Sequence, residues 1–296
     1  MDIGFLITSL EQGLIYGIMA IGVYITFRIL DFADLTVDGS LTLGAAVSSR
    51  LIISGYNPFL TIVFATIAGG IAGSFTGFLN TRLKIAPLLS GILTMTCLWS
   101  INLRIMGRPN IPLLSDNTIF DLFKVPYTVS NYEELILILI VVIAVLITLI
   151  LFLKTKLGYA VRATGDNPVM VRSMAINTEN IKMIGLILAN SFVALSGSLV
   201  AQYQSFSDIS MGIGTIIAGL ASVIIGEVII GKDSLNFIIP GIIIGSILYR
   251  ASISFALMSG FAASDLKLLT ALIVIVFLSA PKIKSIVGGK LNVTTD

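Results

Sequence analysis

Apolar runs of about twenty residues, separated by short polar breaks, restrict this chain to one environment. A helix needs about 20 mostly apolar residues to cross the hydrocarbon core of a bilayer. That ruler marks residues 6–27, 35–53, 59–79, 85–105, 135–153, 183–203, 212–230, 237–255 and 266–280. The expectation is an all-α, polytopic transmembrane bundle of eight or nine spans, one unit over residues 1–296. Hydrophobic residues make up 56% of the chain and charged residues 11%. Soluble domains carry about 25% charged residues, and their outsides must be largely polar. The first run lacks a basic leader and a small-residue cleavage site, so it reads as a retained span.

Charge distribution orients the bundle. Arg82 and Lys84 lie between the third and fourth runs. Lys154, Lys156, Arg162, Arg172 and Lys182 lie in residues 154–182, and Lys282, Lys284 and Lys290 lie in the tail. Basic loops stay cytoplasmic. Alternating spans put all three sets on that side, residues 106–134 outside, and the N-terminus outside. The net charge of +2 gives no electrostatic footprint for nucleic acid. The chain contains no His, the commonest metal ligand and near-neutral base. Cys97 reads as a packed small hydrophobe. No Gly-rich phosphate loop with Lys-Ser/Thr is present, so the chain is expected to bind no cofactor and to be no enzyme.

Two stretches could carry function. Residues 28–40 place Arg28, Asp31, Asp34, Thr36 and Asp38 between two apolar runs. Carboxylates near bilayer depth are costly unless they meet water or partners. Asp, Thr and Gly also disfavour a continuous helix. A helix break near residues 31–40 is therefore expected, lining a cavity or held by neighbouring helices. A solvated turn with Arg28 paired to Asp31 is the alternative, and the Asp side chains could instead cap the next helix. The second stretch is residues 154–182. Gly165-Asp166-Asn167-Pro168 reads as a turn and helix start, with Asp166 or Asn167 as N-cap and Pro168 at the first helical position. Arg162, Ala163, Thr164 and Arg172 flank it. This elbow would suit docking into a partner's groove, while a plain basic loop that only sets topology is the alternative.

Isolated polar residues complete the candidates. Asn190 lies well inside a span and can bond across helices. Glu227 sits near an inner end, close to Lys232, as an interfacial ion pair or a gate. Gln202, Gln204 and Asp208 sit near an outer end, where they could meet an external partner. Glycines spaced by four, as at Gly69, Gly73 and Gly77, predict close helix packing within the subunit.

The elbow, the acidic stretch, Gly13-Leu-Ile-Tyr-Gly17-Ile-Met-Ala-Ile-Gly22 and the segment from Met211 to Gly226 and Glu227 occur in the order seen in one family. Together they resemble the permeases of branched-chain amino acid and ribose-type ABC importers, nearest the tryptophan/tyrosine-type subgroup. The resemblance covers nearly the whole chain. It implies a multi-pass subunit of the bacterial cytoplasmic membrane that moves a small organic solute inward by alternating access. An amino acid, and an aromatic one, is the solute it suggests. It also implies cytoplasmic ABC ATPase subunits carrying ATP and Mg, an extracytoplasmic solute-binding lipoprotein and a second permease copy. The elbow would be the ATPase-coupling segment, centred on Gly165. The acidic stretch and Glu227 depart from branched-chain permeases and match the subgroup. An ion-coupled secondary transporter using Asp31, Asp34 and Asp38 remains the alternative.

Overall fold

A computed structural model describes residues 3–114, 116–123, 132–231 and 235–260, with 265, 268, 270–272 and 274–276 beyond them. The chain folds as a helical bundle. Helix α1 (Ile3–Tyr24) runs into a π-helical turn (Ile25–Ile29), and α2 (Thr36–Ile53), α3 (Pro58–Thr81) and α4 (Pro87–Met106) follow. After β1 (Asn110–Pro112) and the short α5 (Ile119–Leu122) come α6 (Glu133–Leu153), α7 (Lys156–Asp166) and α8 (Pro168–Ser173). The chain continues through α9 (Thr178–Gln204), β2 (Phe206–Asp208), α10 (Thr215–Ile230) and α11 (Leu235–Met258).

Each of the first eight apolar runs contains a helix, against the expected eight or nine spans. Among the described residues, six helices are long and apolar enough to cross a membrane. Helices α2 and α10 are not among them. Helix α10 has 16 residues, about 24 Å at 1.5 Å per residue, short of a core about 30 Å thick. The ninth run, residues 266–280, lies largely outside the described residues. A two-stranded antiparallel ribbon, β1 with β2, also qualifies the all-α expectation.

Helices α1 and α9 form the centre. Within their most apolar stretches 72% and 67% of residues are buried, against 28% for α4 and α6. Glycine sets how closely α2 and α3 approach α9. A Cβ on Gly73 would stand 2.2 Å from the Leu186 carbonyl oxygen, and one on Gly197 2.0 Å from that of Leu41. Real atoms cannot approach so closely, so a larger residue at either point would force the backbones apart. The glycine row of α3 thus packs within the subunit, as its spacing predicted.

Cross-bundle contacts group the loops at two ends of the bundle. Lys84 and Arg82 both pair with Glu179 at the start of α9, which puts the 82–86 loop beside the end of the 154–182 segment. At the other end, β1 pairs with β2, Gln202 accepts from the Ile119 N–H at 3.0 Å, and the Tyr203 hydroxyl donates to Glu11 at 2.9 Å. Glu11 near the N-terminus therefore shares the end of the bundle occupied by residues 106–123. Gln202 is buried and also donates to Ser48 at 3.0 Å. It ties α9 to α2, which removes it as an outward-facing candidate.

Candidate functional site

The break between α1 and α2 spans residues 30–35. Widening to a π turn uncouples the last residues of α1 from the regular ladder. Asp31 then adopts a left-handed conformation, φ 50, which Asp tolerates better than most residues. The Phe32 N–H closes back on the Thr26 carbonyl at 2.9 Å. Thr36–Ser40, expected inside the break, instead forms the first turns of α2.

Asp34 is fully buried beside the middle of α9. One of its oxygens accepts from the Thr36 N–H at 2.9 Å and the other from the Asn190 side-chain amide at 2.9 Å. Asn190 in turn accepts from the Ser40 hydroxyl at 2.7 Å. The Thr36 hydroxyl lies 2.7 Å from that of Thr76, which donates to Thr94 at 3.0 Å. These bonds join α2, α3, α4 and α9 through buried polar groups. Buried polar groups are tolerated when paired in this way. Asp34, Thr36 and Asn190 are thus brought together, as a clamp on the helix break and away from the cavities described below.

Asp38 has a different task. Its oxygens accept from the Gly214 N–H at 2.8 Å, the Ile216 N–H at 2.9 Å and the Thr215 hydroxyl at 3.1 Å. The first amides of a helix lack partners within it, and Gly214, at φ 82, supplies no side-chain cap. An aspartate of α2 therefore caps α10 across the bundle, where the helix dipole favours an anion. The capping alternative holds, but for α10 as well as α2. The three carboxylates are not gathered at one point, as an ion-coupling site would require.

Two cavities share one face of α10. Ile213, just ahead of it, and Ile217, Leu220, Ile224 and Glu227 recur every three or four residues along one helical stripe. At the N-terminal end a cavity of about 330 Å³ is lined by Asp38, Thr42, Met95, Trp99, Asn102 and Ile213, among others. At the C-terminal end a cavity of about 580 Å³ is lined by Phe27, Arg28, Asp31, Ile217, Leu220, Ile224 and Glu227, among others. The Arg28 guanidinium donates to Glu227 at 2.6 Å. Arg28 therefore pairs with Glu227 and not with Asp31, which is exposed at the same cavity. Lys232, the other expected neighbour of Glu227, lies outside the described residues. Cys97 is exposed on a third cavity, apolar and beside α3, and is not packed in the core.

Residues 154–177 form two short helices meeting at Asn167. Thr155 caps α7 by accepting from the Gly158 N–H at 3.2 Å. Asn167 caps α8 by accepting from the N–H groups of Val169 and Met170 at 3.1 and 3.0 Å, with Pro168 at the first helical position. The candidate residues divide between two faces. Thr164 is buried, and a Cβ on Gly165 would lie 1.8 Å from the Ile29 carbonyl oxygen. Gly165 is therefore needed where α7 rests on the π turn, and it faces inward. Ala163 is half-buried. Arg162 lies over the Tyr159 ring at 4.5 Å, and Arg172 donates to the Thr178 hydroxyl at 3.2 Å. Asp166, Val169, Met170 and Met174 are exposed.

Comparison with known proteins places this arrangement. Residues 5–279 match the family described as branched-chain amino acid transport system / permease component. The chain belongs to this family. The permease is 43% identical over 289 residues to a tyrosine transport system permease protein of Clostridioides difficile, covering 98% of this chain and 92% of that one. It is 37% identical to an uncharacterized protein of Rickettsia prowazekii over 94% of this chain and 98% of that one. It is also 26% identical to a ribose import permease protein of Bacillus subtilis, over 75% of this chain and 67% of that one. A solved structure, PsaBC from Streptococcus pneumoniae in complex with Fab, shares the fold, with TM-score 0.54 and 15% identity over 93% of this chain and 91% of that one. The permease is a multi-pass protein of the bacterial cytoplasmic membrane.

Sequence reasoning passed over several residues of this permease. Asn102 and Trp99 line the cavity at the N-terminal end of α10. Arg250, inside α11, stacks on Tyr16 at 3.6 Å. Their signal was the one used for Asn190, a polar or amphipathic group inside an apolar run.

Proposed function

We propose that this permease is the membrane-spanning subunit of an ATP-driven importer that moves an amino acid, an aromatic one, into the cell by alternating access. The observation that carries the reading is the face of α10. It joins an outer cavity to an inner one and ends at the Arg28–Glu227 pair. A helix too short to span, capped by a residue of another helix, lines the path. The pair closes its inner mouth. Ion-coupled transport is less well supported, because Asp34 and Asp38 are occupied in holding helix ends.

In this reading a second copy of the chain supplies the other wall of the path. An extracytoplasmic binding lipoprotein delivers the solute to the end formed by β1 and β2. ATPase subunits, which hold the ATP and Mg, seat on the exposed residues of α7 and α8. Asp166, Val169, Met170 and Met174 face that partner, while Gly165 carries its motion to the π turn through the Ile29 carbonyl. Arg28 lies next to Ile29, so the same displacement reaches Glu227 and α10. Solute moves inward only if ATP and the binding protein favour different states of this assembly.

The test is co-purification of the chain with the products of its neighbouring genes in mild detergent. Recovery of an ATPase, reduced by Val169→Asp and Met170→Asp together, is the expected result. A homo-oligomer without ATPase, when a candidate ATPase is co-expressed, would overturn the reading.

A further inference from the structure

The third cavity lies on the outside of the bundle, where α2, α3 and α4 meet. Its volume is about 440 Å³, and Leu43, Ile71, Phe75, Cys97 and Ile101 are among its lining. All of these but Leu43 are exposed, so the cavity is a groove open sideways to lipid. Cys97 stands at the middle of α4, a helix of 20 residues.

Two walls of the groove lead to arginines at one end of the bundle. The last turns of α2 and α4 meet there, because Ile52 and Met106 pack in one cluster with Ile111 of β1. On α4, Cys97, Ile101 and Arg104 are spaced by four and three residues and share one helical face. On α2, Leu43, Val47 and Arg50 are spaced in the same way. Val47 packs against the cluster of Leu43 and Leu98, so this stripe stays beside α4 as it nears Arg50. Arg108 follows in the turn after Gly107. Arg104 stands about 10 Å from Cys97 along the helix. Half of the hydrocarbon core is about 15 Å, and an arginine side chain spans the remainder to the headgroups.

The three arginines are exposed. Among the described residues, none of their side chains takes part in an ion pair. The other end of the groove differs. Arg82 continues the α3 stripe of Ile71, Phe75 and Phe78, but Glu179 already faces it at 3.9 Å. An apolar groove that ends at uncompensated cations fits a molecule with a hydrocarbon tail and an anionic head. A water-soluble protein could meet the arginines but could not follow the groove to Cys97.

We infer that this groove holds an anionic phospholipid in the leaflet at the β1 end, its acyl chain along Ile101 and Cys97 and its phosphate among Arg50, Arg104 and Arg108. The lipid completes the packing of α4, whose most apolar stretch is only 28% buried. The site does not depend on the importer reading.

The test is native mass spectrometry of the purified full chain in detergent, titrated with phosphatidylglycerol or with phosphatidylcholine of the same acyl chains. The first phosphatidylglycerol should bind more tightly than phosphatidylcholine. Arg50→Gln and Arg104→Gln should each weaken it about fivefold, the scale of one cation beside an anionic lipid, and leave phosphatidylcholine unchanged. Arg50→Lys and Arg104→Lys keep the charge and should keep the preference, which separates lost charge from lost fold. Cys97→Phe fills the groove at an exposed position and should weaken both lipids, while Arg82→Gln should change neither. Equal binding of the two lipids by the wild-type chain overturns the site. So does a preference that survives the double glutamine variant, or one that Arg82→Gln removes. Binding unaltered by Cys97→Phe would put the lipid outside the groove and refute the assignment. Glutamine variants that keep the lipid preference but lose a protein partner would give the arginines to an acidic protein surface instead.

Discussion

Replacing Asp38 tests the central structural claim, that α10 is capped from α2. The cost follows from the fate of each donor. In Asp38→Ala the Gly214 N–H, at an exposed residue, can turn to water, and the Thr215 hydroxyl already reaches the Gly212 carbonyl at 2.9 Å. The Ile216 N–H has neither escape, because Ile216 is 7% exposed. Stranding it costs about 1–3 kcal/mol. Loss of the anion at the helix N-terminus adds about 0.3–1 kcal/mol, and up to about 2 where partly buried. The total is about 1–5 kcal/mol. Asp38→Asn keeps an oxygen for Ile216 and Thr215 and loses the charge and the acceptor for the Gly214 N–H, which can turn to water, so about 1 kcal/mol is expected. Unfolding by dodecyl sulfate in mixed micelles, followed by helical circular dichroism, gives both values. The order wild type, Asn, Ala is the diagnostic result. Asparagine and alanine variants within about 0.5 kcal/mol of each other would refute the cap.

Three further outcomes follow from the same geometry. Gly165→Ala drives a methyl group into the Ile29 carbonyl. Overpacking of this kind costs about 1–3 kcal/mol, so import should fall while Asp166→Ala, at an exposed position, leaves stability unchanged by the same micelle titration. Arg28→Glu faces Glu227 with a like charge and should abolish solute uptake in cells, and adding Glu227→Arg should restore a measurable part of it. Loss of uptake that the swap does not relieve would remove the pair as a gate. At the outer ribbon, the Ser210 hydroxyl, the Ser210 N–H and the Asn110 amide donate to Asp208 and hold its carboxyl below the usual range. The folded value is lower than the unfolded one of about 3.9. Its contribution is therefore present above that pH and fades as pH falls through the folded value. Hydrogen exchange at β1 and β2 should accelerate in that acid window and lose this dependence in Asp208→Asn.

Much of the bundle was legible because a bilayer imposes one ruler on every apolar run. Residues 59–79 and 85–105 gave α3 and α4 to within a few residues, and the glycine spacing of α3 gave its packed face. Asn167 and Pro168 gave the start of α8 through local cap chemistry. The long-range pairs were not legible. Arg28 stands three residues from Asp31, yet its partner is Glu227, which the fold brings from 199 positions away. Asp38 looked like part of a shared acidic site, and only the placement of α10 reveals three donors waiting for it. Gly165 read as the centre of a docking elbow. Its inward face follows from the return of α7 onto Ile29, a contact that no local spacing encodes. Asn102 was missed because one amide in an apolar run looks the same whether or not it is satisfied.

These contacts assign the acidic stretch a purpose other than direct solute binding. Carboxylates inside a membrane bundle are costly, and here Asp34 and Asp38 are placed where they satisfy donors that would otherwise be orphaned. Asp34 fixes the break rigidly to the middle of α9 through Asn190. Asp38, on one side of that break, holds one end of α10, and Arg28, on the other side, holds the opposite end through Glu227. Helix α10 is thus tethered at both ends to the two helices that flank a single fixed break. Its outer tether is three hydrogen bonds to a half-buried carboxylate. Its inner tether includes an ion pair between an arginine side chain that is 47% exposed and a glutamate side chain that is 9% exposed. The inner end is the one that Gly165 reaches through Ile29.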